Sequence, residues 1–414
     1  MLLHYRFENF KSFKEPVEFD MLAPGNKVKN RFPDNFVSAS CGEDVLKTAV
    51  IVGENAGGKT NFIDSLKFLR GLLVNNSKVR AMASLINRAN LSDSKSIRDS
   101  DTHQKFDLEV LAADGCIYRY VLAMDGWGLQ AEKLGYRTKK GGADRLVYAV
   151  ERNGGLQPGE GDRPPSMNFD VRISQAEVSA DIVEYIEKQV LTVSYKGLLA
   201  PKLAVLDVPH VAPFYQWIEE TLCLESVGIN YDLYHQIMED EDDRRVLEDK
   251  RYLEIFRLID SSVVAIELDE EKLFQDSVVV RQDAQGNLYK RKLKADSTGV
   301  REFFAWAIQL FRVVYENKVV LADEMDRVLN PILSDRVIAF IHGKKHQGQF
   351  IFTTHNVLHL NLNTYMKEQL YFITRDNDSL ESTLYSLADF PDVRYDNAKM
   401  YEFYLKGILG GTAF

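Results

Sequence analysis

The segment GENAGGKT, from Gly53 to Thr60, carries the strongest structural signal in the sequence. It satisfies the pattern GxxxxGK[ST], in which glycines let backbone N–H groups turn inward onto phosphate oxygens. A short apolar run from Leu46 to Val52 precedes it and predicts a strand, and apolar residues recur at helical spacing from Thr60 to about Leu73. A phosphate loop needs this order of strand, loop and helix, because the helix N-terminus adds a favourable dipole.

This loop supplies a first set of candidate ligands. We expect Lys59 to reach the β and γ phosphates of a nucleotide and the Thr60 hydroxyl to bind Mg²⁺. Further predicted contacts to the nucleotide come from Gly53, Asn55, Gly57, Gly58 and Asn61.

A phosphate loop also predicts an acidic residue at a distant strand end, where it holds the metal. The apolar run Val319 to Ala322 leads into Asp323 and Glu324. We expect Asp323 to bind Mg²⁺ through water and Glu324 to orient the attacking water. Such a pair is also common as mere surface charge, and the upstream loop favours the metal role.

Two further segments complete the candidate site. The apolar strand that ends in Thr353-Thr354-His355 would bring His355 to the same sheet edge, where it could sense the γ-phosphate. Asp296-Ser297-Thr298-Gly299 precedes a predicted helix and could form a second anion site at its N-terminus. Each has a plainer explanation: a structural histidine and a simple helix cap.

The order of elements predicts an α/β fold. Strands and helices alternate after about residue 298, which favours a mixed, largely parallel sheet. Residues 1–20 and 106–151 read as strands of an antiparallel region, and residues 170–275 look largely helical. The predicted division is therefore 1–165 and 276–414 as the two parts of one head, with 166–275 as a helical insertion.

Charge and composition limit the class of protein. A formal charge of −10 argues against broad, non-specific nucleic-acid coating. The basic segment from Tyr289 to Lys294 remains either a local patch or the solvated face of a strand. No apolar run is long enough for a membrane helix, no leader is recognisable, and three scattered cysteines fit a reducing compartment. We expect a cytoplasmic protein without membrane contact.

Together these motifs resemble the ABC-type ATPase heads of the SMC and RecF group over about 1–70 and 290–414. Asn9 to Phe13 is similar to the opening of such proteins. The resemblance implies ATP and Mg²⁺ as cofactors and a head-to-head dimer, or a higher homo-oligomer, with ATP in the interface. It implies that Ser297 and Gly299 contact the γ-phosphate of ATP held by the partner, with Asp326 in the D-loop that crosses the interface.

More narrowly, the chain resembles prokaryotic ATPases of the RloA, AbiL and PARIS AriA kind. The matching segments are Leu329-Asn330-Pro331, Phe352 to Asn356, and SLADFPDVR followed by YLKGILGG near the end. Asn330 stands where the family usually has His. The resemblance implies anti-phage defence beside a separate effector nuclease or toxin, with a phage protein as a trigger.

Two other functions compete with the defence role. A RecF-like DNA-repair ATPase is disfavoured only by the acidic charge, so DNA binding is undecided. A nuclease in the same chain lacks room, since 59 residues follow His355.

Gln130 and Glu132 lie in a plausible region for a Q-loop residue, and the sequence selects neither. The pairs His342 with His346 and His235 with Glu239 have a metal-binding spacing, and we expect no metal there.

Overall fold

The protein is described by a computed structural model that covers residues 1–75, 103–126, 128–157, 166–174, 178–192, 197–224, 241–395 and 400–409. Its strands are β1 (Leu2–Glu8), β2 (Val17–Asp20), β3 (Phe36–Ser38), β4 (Asp44–Leu46), β5 (Thr48–Gly53), β6 (Gln104–Leu111), β7 (Ile117–Asp125), β8 (Gly128–Arg137), β9 (Arg145–Gln157), β10 (Ser166–Ile173), β11 (Leu222–Cys223), β12 (Val263–Glu267), β13 (Val278–Gln282), β14 (Leu288–Lys292), β15 (Val319–Ala322), β16 (Gln349–Thr354), β17 (Leu370–Arg375) and β18 (Ser382–Ser386).

The α-helices of the described residues are α1 (Asn26–Lys29), α2 (Lys59–Val74), α3 (Ala180–Thr192), α4 (Leu199–Val205), α5 (Ala212–Gln216), α6 (Glu241–Glu248), α7 (Tyr252–Phe256), α8 (Leu273–Asp276), α9 (Thr298–Glu316), α10 (Pro331–Gly343) and α11 (Met400–Leu405). A π-helical turn, Trp217–Thr221, follows α5, and short 3₁₀ turns include Met325–Arg327 and Val357–His359.

The central sheet has the strand order β11-β15-β16-β5-β17-β18. Its pairs are parallel except for the last one, in which β18 runs antiparallel to β17. This sheet is mixed and largely parallel, as predicted. In a parallel sheet every strand end of one kind lies at the same edge, so β5, β15 and β16 deliver the residues that follow them to one side.

Alternate residues of the central strands face two different cores, because side chains alternate along a strand. In β5, Ala49 and Ile51 pack into the core shared with the antiparallel sheet and α2. Val50 and Val52 pack into the core on the opposite face, formed with α7, α9 and α10. Burial on both faces explains why these strands read as continuous apolar runs.

The second large sheet is antiparallel, with the order β10-β9-β8-β7-β6-β1-β2. It confirms the predicted antiparallel region and covers one face of the central sheet through the shared core. With the helices α4 to α7 after the antiparallel sheet in sequence, the predicted fold class is confirmed: an α/β fold with a mixed sheet, an antiparallel sheet and several helices.

The segment between the sheets contains strands as well as helices. Residues 166–173 pair with β9, and Val263–Glu267 joins β13 and β14 in a three-stranded sheet. The segment 166–275, which the sequence predicts as mainly helical, therefore contains strands near both of its ends. His235 and Glu239 lie outside the described residues. In the part of the chain that the structure covers, no helix is both long and apolar enough to cross a membrane.

Candidate functional site

The loop from Gly53 to Thr60 follows β5 and leads into α2, as the sequence predicts. It turns through left-handed backbone at Ala56 and Gly58, with φ values of 61° and 119°. The Lys59 Nζ donates to the carbonyl oxygens of Gly53 and Glu54, each at 2.8 Å. The loop therefore wraps around its own lysine. Phosphate oxygens could replace the two carbonyl oxygens as acceptors for the Lys59 ammonium group.

Lys59 is a buried cation in an acidic neighbourhood. Burial lowers the pKa of its ammonium group, while the carboxylates of Asp323, Glu324 and Asp326 act in the opposite direction. A buried lysine is costly to keep charged without partners of opposite sign. An added anion such as a phosphate would favour the charged form in the same way.

Thr60 and Asp323 meet although they lie far apart in sequence. The Thr60 hydroxyl donates to Asp323 Oδ2 at 2.8 Å, and the Thr353 hydroxyl donates to Asp323 Oδ1 at 2.6 Å. A hydroxyl that donates its proton keeps its oxygen lone pairs for a cation. Mg²⁺ takes hard oxygen ligands, so this hydroxyl and carboxylate fit the predicted metal site.

Glu324 lies beside Asp323 with unusual backbone geometry. Its φ of 52° is left-handed, and its N–H donates to the Thr353 hydroxyl at 2.8 Å. Its carboxylate contacts Arg327 Nε at 2.6 Å and lies 3.9 Å from His355 Nε2. A non-glycine residue held in this region signals a constrained position, and here the constraint turns a half-exposed carboxylate towards His355.

His355 lies between the lysine and the glutamate. Its Nδ1 is 3.4 Å from Lys59 Nζ, so the two ring nitrogens face a cation and a carboxylate. Asp326 holds this segment in place: its carboxylate accepts from the Thr354 hydroxyl and, at 2.9 Å, from the His355 N–H. The predicted D-loop aspartate thus contacts the segment Thr354-His355 of its own chain.

Two serines that we did not assign to the site support the loop from behind. Ser382 of β18 donates to the Gly57 carbonyl at 2.6 Å, and its Oγ lies 2.8 Å from Ser12 Oγ. The Asn61 side chain also donates to Ser12 Oγ, at 2.7 Å. Ser12 belongs to the opening motif Asn9 to Phe13, which was the available signal, whereas nothing local marks Ser382.

Two glycines of the loop have no room for a side chain. A Cβ on Gly53 would lie 2.5 Å from the Ile373 carbonyl oxygen, and a Cβ on Gly58 would lie 2.6 Å from Ser382 Oγ. The loop therefore needs glycine for close packing against β17 and β18 as well as for backbone freedom. Asn55, by contrast, is exposed at the loop tip.

The segment Ser297 to Gly299 lies at the N-terminus of α9 and is exposed. Ser297 caps the helix by accepting from the Val300 N–H at 3.4 Å, and Asp296 pairs with Arg281 at 2.8 Å. A Cβ on Gly299 would meet open space. Within the described ranges, no hydrogen bond joins this segment to the loop at 53–60, so the structure does not bring these two predicted parts together within one chain.

Gln130 and Glu132 have structural partners. Gln130 donates to Asp125 at 3.0 Å. Glu132 is fully buried and accepts from two tyrosine hydroxyls and from the N–H groups of Leu199 and Ala200 at the start of α4. Burial raises the pKa of its carboxyl group, against the effect of these donors.

Comparisons with solved structures find SMC head domains. The head domain from Thermotoga maritima is 16% identical, covers 93% of this chain and 98% of its own, and has a TM-score of 0.38. An SMC head bound to the C-winged helix domain of ScpA is 13% identical, with 93% and 97% coverage and a TM-score of 0.40. A head with an extended coiled coil, bound to a ScpA domain from Pyrococcus furiosus, is 13% identical, with 99% coverage of both chains and a TM-score of 0.36.

No family model matches the sequence. No curated protein matches it either.

Proposed function

We propose that this chain binds ATP with Mg²⁺ at the loop from Gly53 to Thr60 and hydrolyses it slowly. One observation carries the proposal: Lys59, Thr60, Asp323, Glu324 and His355 converge at one sheet edge, linked by contacts of 2.8 to 3.9 Å. These residue types supply a cation for phosphate, oxygen ligands for a metal and a carboxylate for water.

The binding step follows from the loop's present contacts. Phosphate oxygens accept from the loop N–H groups and from Lys59 Nζ, which exchanges its carbonyl partners for charged oxygens. Thr60 and Asp323 would hold Mg²⁺, which would neutralise part of the triphosphate charge. Ser12 and Ser382 keep the loop in shape through the Gly57 carbonyl.

The chemical step uses Glu324 as the general base. The attacking water gives its proton to the Glu324 carboxylate as its oxygen bonds to the γ-phosphorus. The bond from that phosphorus to the β–γ bridging oxygen breaks, and ADP leaves with its electron pair. His355 positions the carboxylate and contacts the γ-phosphate, since it lies between Lys59 and Glu324. Proton transfer to a placed base contributes roughly 10² to 10⁴-fold in rate.

The working unit in this proposal is a head-to-head dimer with ATP in the interface. Its support is the exposure of Ser297 to Gly299 and their lack, within the described ranges, of a bond to their own loop. A second copy would place Ser297, Gly299 and the neighbourhood of Asp326 against the nucleotide of the first. The site would then be complete only between chains.

Mixing two inactive variants tests this arrangement. Lys59→Ala removes the loop's cation, and Gly299→Asp puts a negative charge where the partner's phosphate would lie. A mixed dimer has one site with both defects and one with neither, so mixing should restore Mg²⁺-dependent turnover that each variant lacks alone. Absence of any restoration, with both proteins folded, would contradict the shared site.

The biological role in this proposal is that of a sensor and scaffold subunit in anti-phage defence. It rests on the sequence resemblance, which extends to the terminal segments around the 3₁₀ turn Leu387–Asp389 and α11. The effector is a separate nuclease or toxin, and a phage protein is the trigger. Co-purification of the neighbouring gene's product with this chain, and its release when the trigger is added, would test the role.

A RecF-like role in DNA repair is the alternative. The exposed strand β14 carries basic residues, but Lys290 pairs with Glu267, and Lys292 and Lys294 pair with Asp276. This local neutralisation weakens β14 as a phosphate-binding surface. Stimulation of ATP turnover by duplex or single-stranded DNA would favour repair over defence.

A further inference from the structure

A second cluster of metal-ligating side chains lies apart from the ATP site. Asp114 and Cys116 belong to the turn between β6 and β7, and His210 follows α4. One ligand atom from each of the three lies within 4.8 Å of the others. Asp114 is exposed, while Cys116 and His210 are half-buried, so the cluster is open to solvent on one side.

The local backbone explains how the turn presents its side chains. The Cys116 N–H donates to Asp114 Oδ1 at 3.0 Å, which fixes the carboxylate over the cysteine. Gly115 between them has a φ of 79°, a conformation that favours glycine. Tyr118 lies two residues further along the chain and donates to Asp114 Oδ2 at 2.6 Å. Its oxygen is also 3.1 Å from His210 Nδ1.

His210 reaches the turn from a different part of the chain. Its ring stacks on Tyr136 at a centroid distance of 3.7 Å and an interplanar angle of 14°. Its own φ is 65°, a left-handed value that few non-glycine residues adopt. The imidazole is therefore held against the antiparallel sheet by stacking and by a constrained backbone.

The donor set selects the class of cation. Calcium and magnesium take oxygen ligands, whereas zinc accepts thiolate sulfur, imidazole nitrogen and carboxylate oxygen in one tetrahedral site. We propose that Asp114, Cys116 and His210 bind Zn²⁺, with water or the Tyr118 hydroxyl in the fourth position. A bound dication would also deprotonate the thiol, whose pKa burial and the Asp114 carboxylate otherwise raise.

The zinc would join two parts of the fold. The turn belongs to the antiparallel sheet, and His210 belongs to the helical segment α4–α5. Buried Glu132 already anchors the start of α4 to that sheet through Leu199 and Ala200. A zinc bridge at His210 would add a second anchor beyond the other end of α4 and fix this segment against the sheet.

Titration of the metal-free full-length chain with Co²⁺ and Zn²⁺ alone tests the site. We expect one ion per chain, a thiolate-to-cobalt charge-transfer band, the intense visible bands of tetrahedral Co²⁺, and a Tm that rises with Zn²⁺ concentration. Cys116→Ser should remove the charge-transfer band. Both Cys116→Ser and His210→Gln should weaken Zn²⁺ binding by more than the roughly 10- to 100-fold typical of an outer-shell loss. Cys223→Ser is the matched control and should retain both signals.

The proposal is overturned if Co²⁺ gives no thiolate band with the wild-type chain, or if the variants bind Zn²⁺ as tightly as the wild type. Should the ligand variants fail to fold, a chain carrying Cys41→Ser and Cys223→Ser keeps Cys116 as its one thiol. Zn²⁺ should then slow the reaction of Cys116 with a thiol reagent, and an unchanged rate would also overturn the site. ATP turnover plays no part in either readout.

Discussion

The two ends of β5 carry the same residue types in different settings. Lys47 and Lys59 each have 5% exposure, and each donates from Nζ to two backbone carbonyls. Burial lowers the pKa of both lysines. The difference lies in the surrounding charge: one carboxylate, that of Asp34, acts on Lys47, whereas four carboxylates act on Lys59.

The threonines at the two ends differ in the same way. Thr48 lies 2.9 Å from His342 Nε2 and accepts from Gln369 at 2.7 Å, all within a buried network. Thr60 is exposed and donates to Asp323. A lysine, a threonine and a histidine at a strand end are therefore not enough for a site. The edge with the proposed ATP site differs by its carboxylates, its left-handed loop and the N-terminus of α2.

Of the variants that test this difference between the two edges, Glu324→Gln should have the largest effect on ATP turnover. Because an amide cannot take the proton of water, we expect ATP turnover to fall roughly 10² to 10⁴-fold while ATP binding is kept. Phosphate release at saturating Mg²⁺ and ATP measures it. Glu368→Gln, at the opposite edge just before β17, is the control and should leave turnover unchanged. Normal turnover in Glu324→Gln would remove the glutamate from the chemical step.

Lys59→Met and Lys47→Met form a matched pair. Loss of a charge-assisted phosphate contact should cost Lys59→Met about 1.5–3 kcal/mol in ATP affinity. Lys47→Met should keep ATP affinity and lose about 1–3 kcal/mol of unfolding free energy, because two buried carbonyls lose their donor. Calorimetric ATP binding and denaturant unfolding measure the two quantities. Equal ATP affinities of the two variants would exclude a special role of Lys59 in nucleotide binding.

Acid should lower the stability of the sheet edge that contains Lys47, Thr48 and His342. Burial lowers the pKa of His342 to about 3 and that of His346 to about 4, from 6.5. The unfolded chain then binds more protons, so stability is full above the unfolded pKa and is lost as the pH falls towards the folded values. Each histidine should cost about 2 kcal/mol of unfolding free energy between pH 7 and pH 5. His346→Gln should make this pH dependence shallower, and an unchanged slope would exclude that histidine as a source.

Asp326→Asn should have the smallest effect. The change weakens the contacts that hold Thr354 and the His355 N–H, while Lys59 and Thr60 keep theirs. We expect turnover to fall roughly tenfold, equivalent to about 1.4 kcal/mol, with ATP affinity unchanged. Asp335→Asn, on the exposed face of α10, is the control. A loss of affinity instead of turnover would place Asp326 in binding and not in positioning.

The sequence predicted the elements around the loop closely, because their signals are local. The strand expected at Leu46 to Val52 is Thr48–Gly53, and the helix expected from Thr60 to Leu73 is Lys59–Val74. Strand order is a long-range property, and nothing local indicates that β16 lies between β5 and β15. The strand at Ser166–Ile173 was also hidden, since it adjoins a segment dominated by helical patterns.

The candidate site was predictable where motifs carry fixed chemistry. Lys59, Thr60, Asp323, Glu324 and His355 come from recognisable segments, and the structure brings them together. Thr353 and Ser382 were missed because a hydroxyl that supports a carboxylate or a loop has no sequence signature of its own. The assignment of roles to all these residues stays a prediction until the variants are measured.

The hydrogen bonds of Ser382 to Gly57 and Ser12 span almost the whole chain. During synthesis the loop from Gly53 to Thr60 leaves the ribosome long before β17 and β18 exist. The strands that pack against the loop are therefore missing for most of translation. Contacts of such sequence separation close late and fold slowly. A nascent or truncated chain would carry the complete phosphate motif without its support, and the proposed nucleotide binding would begin only when β17 and β18 had been made.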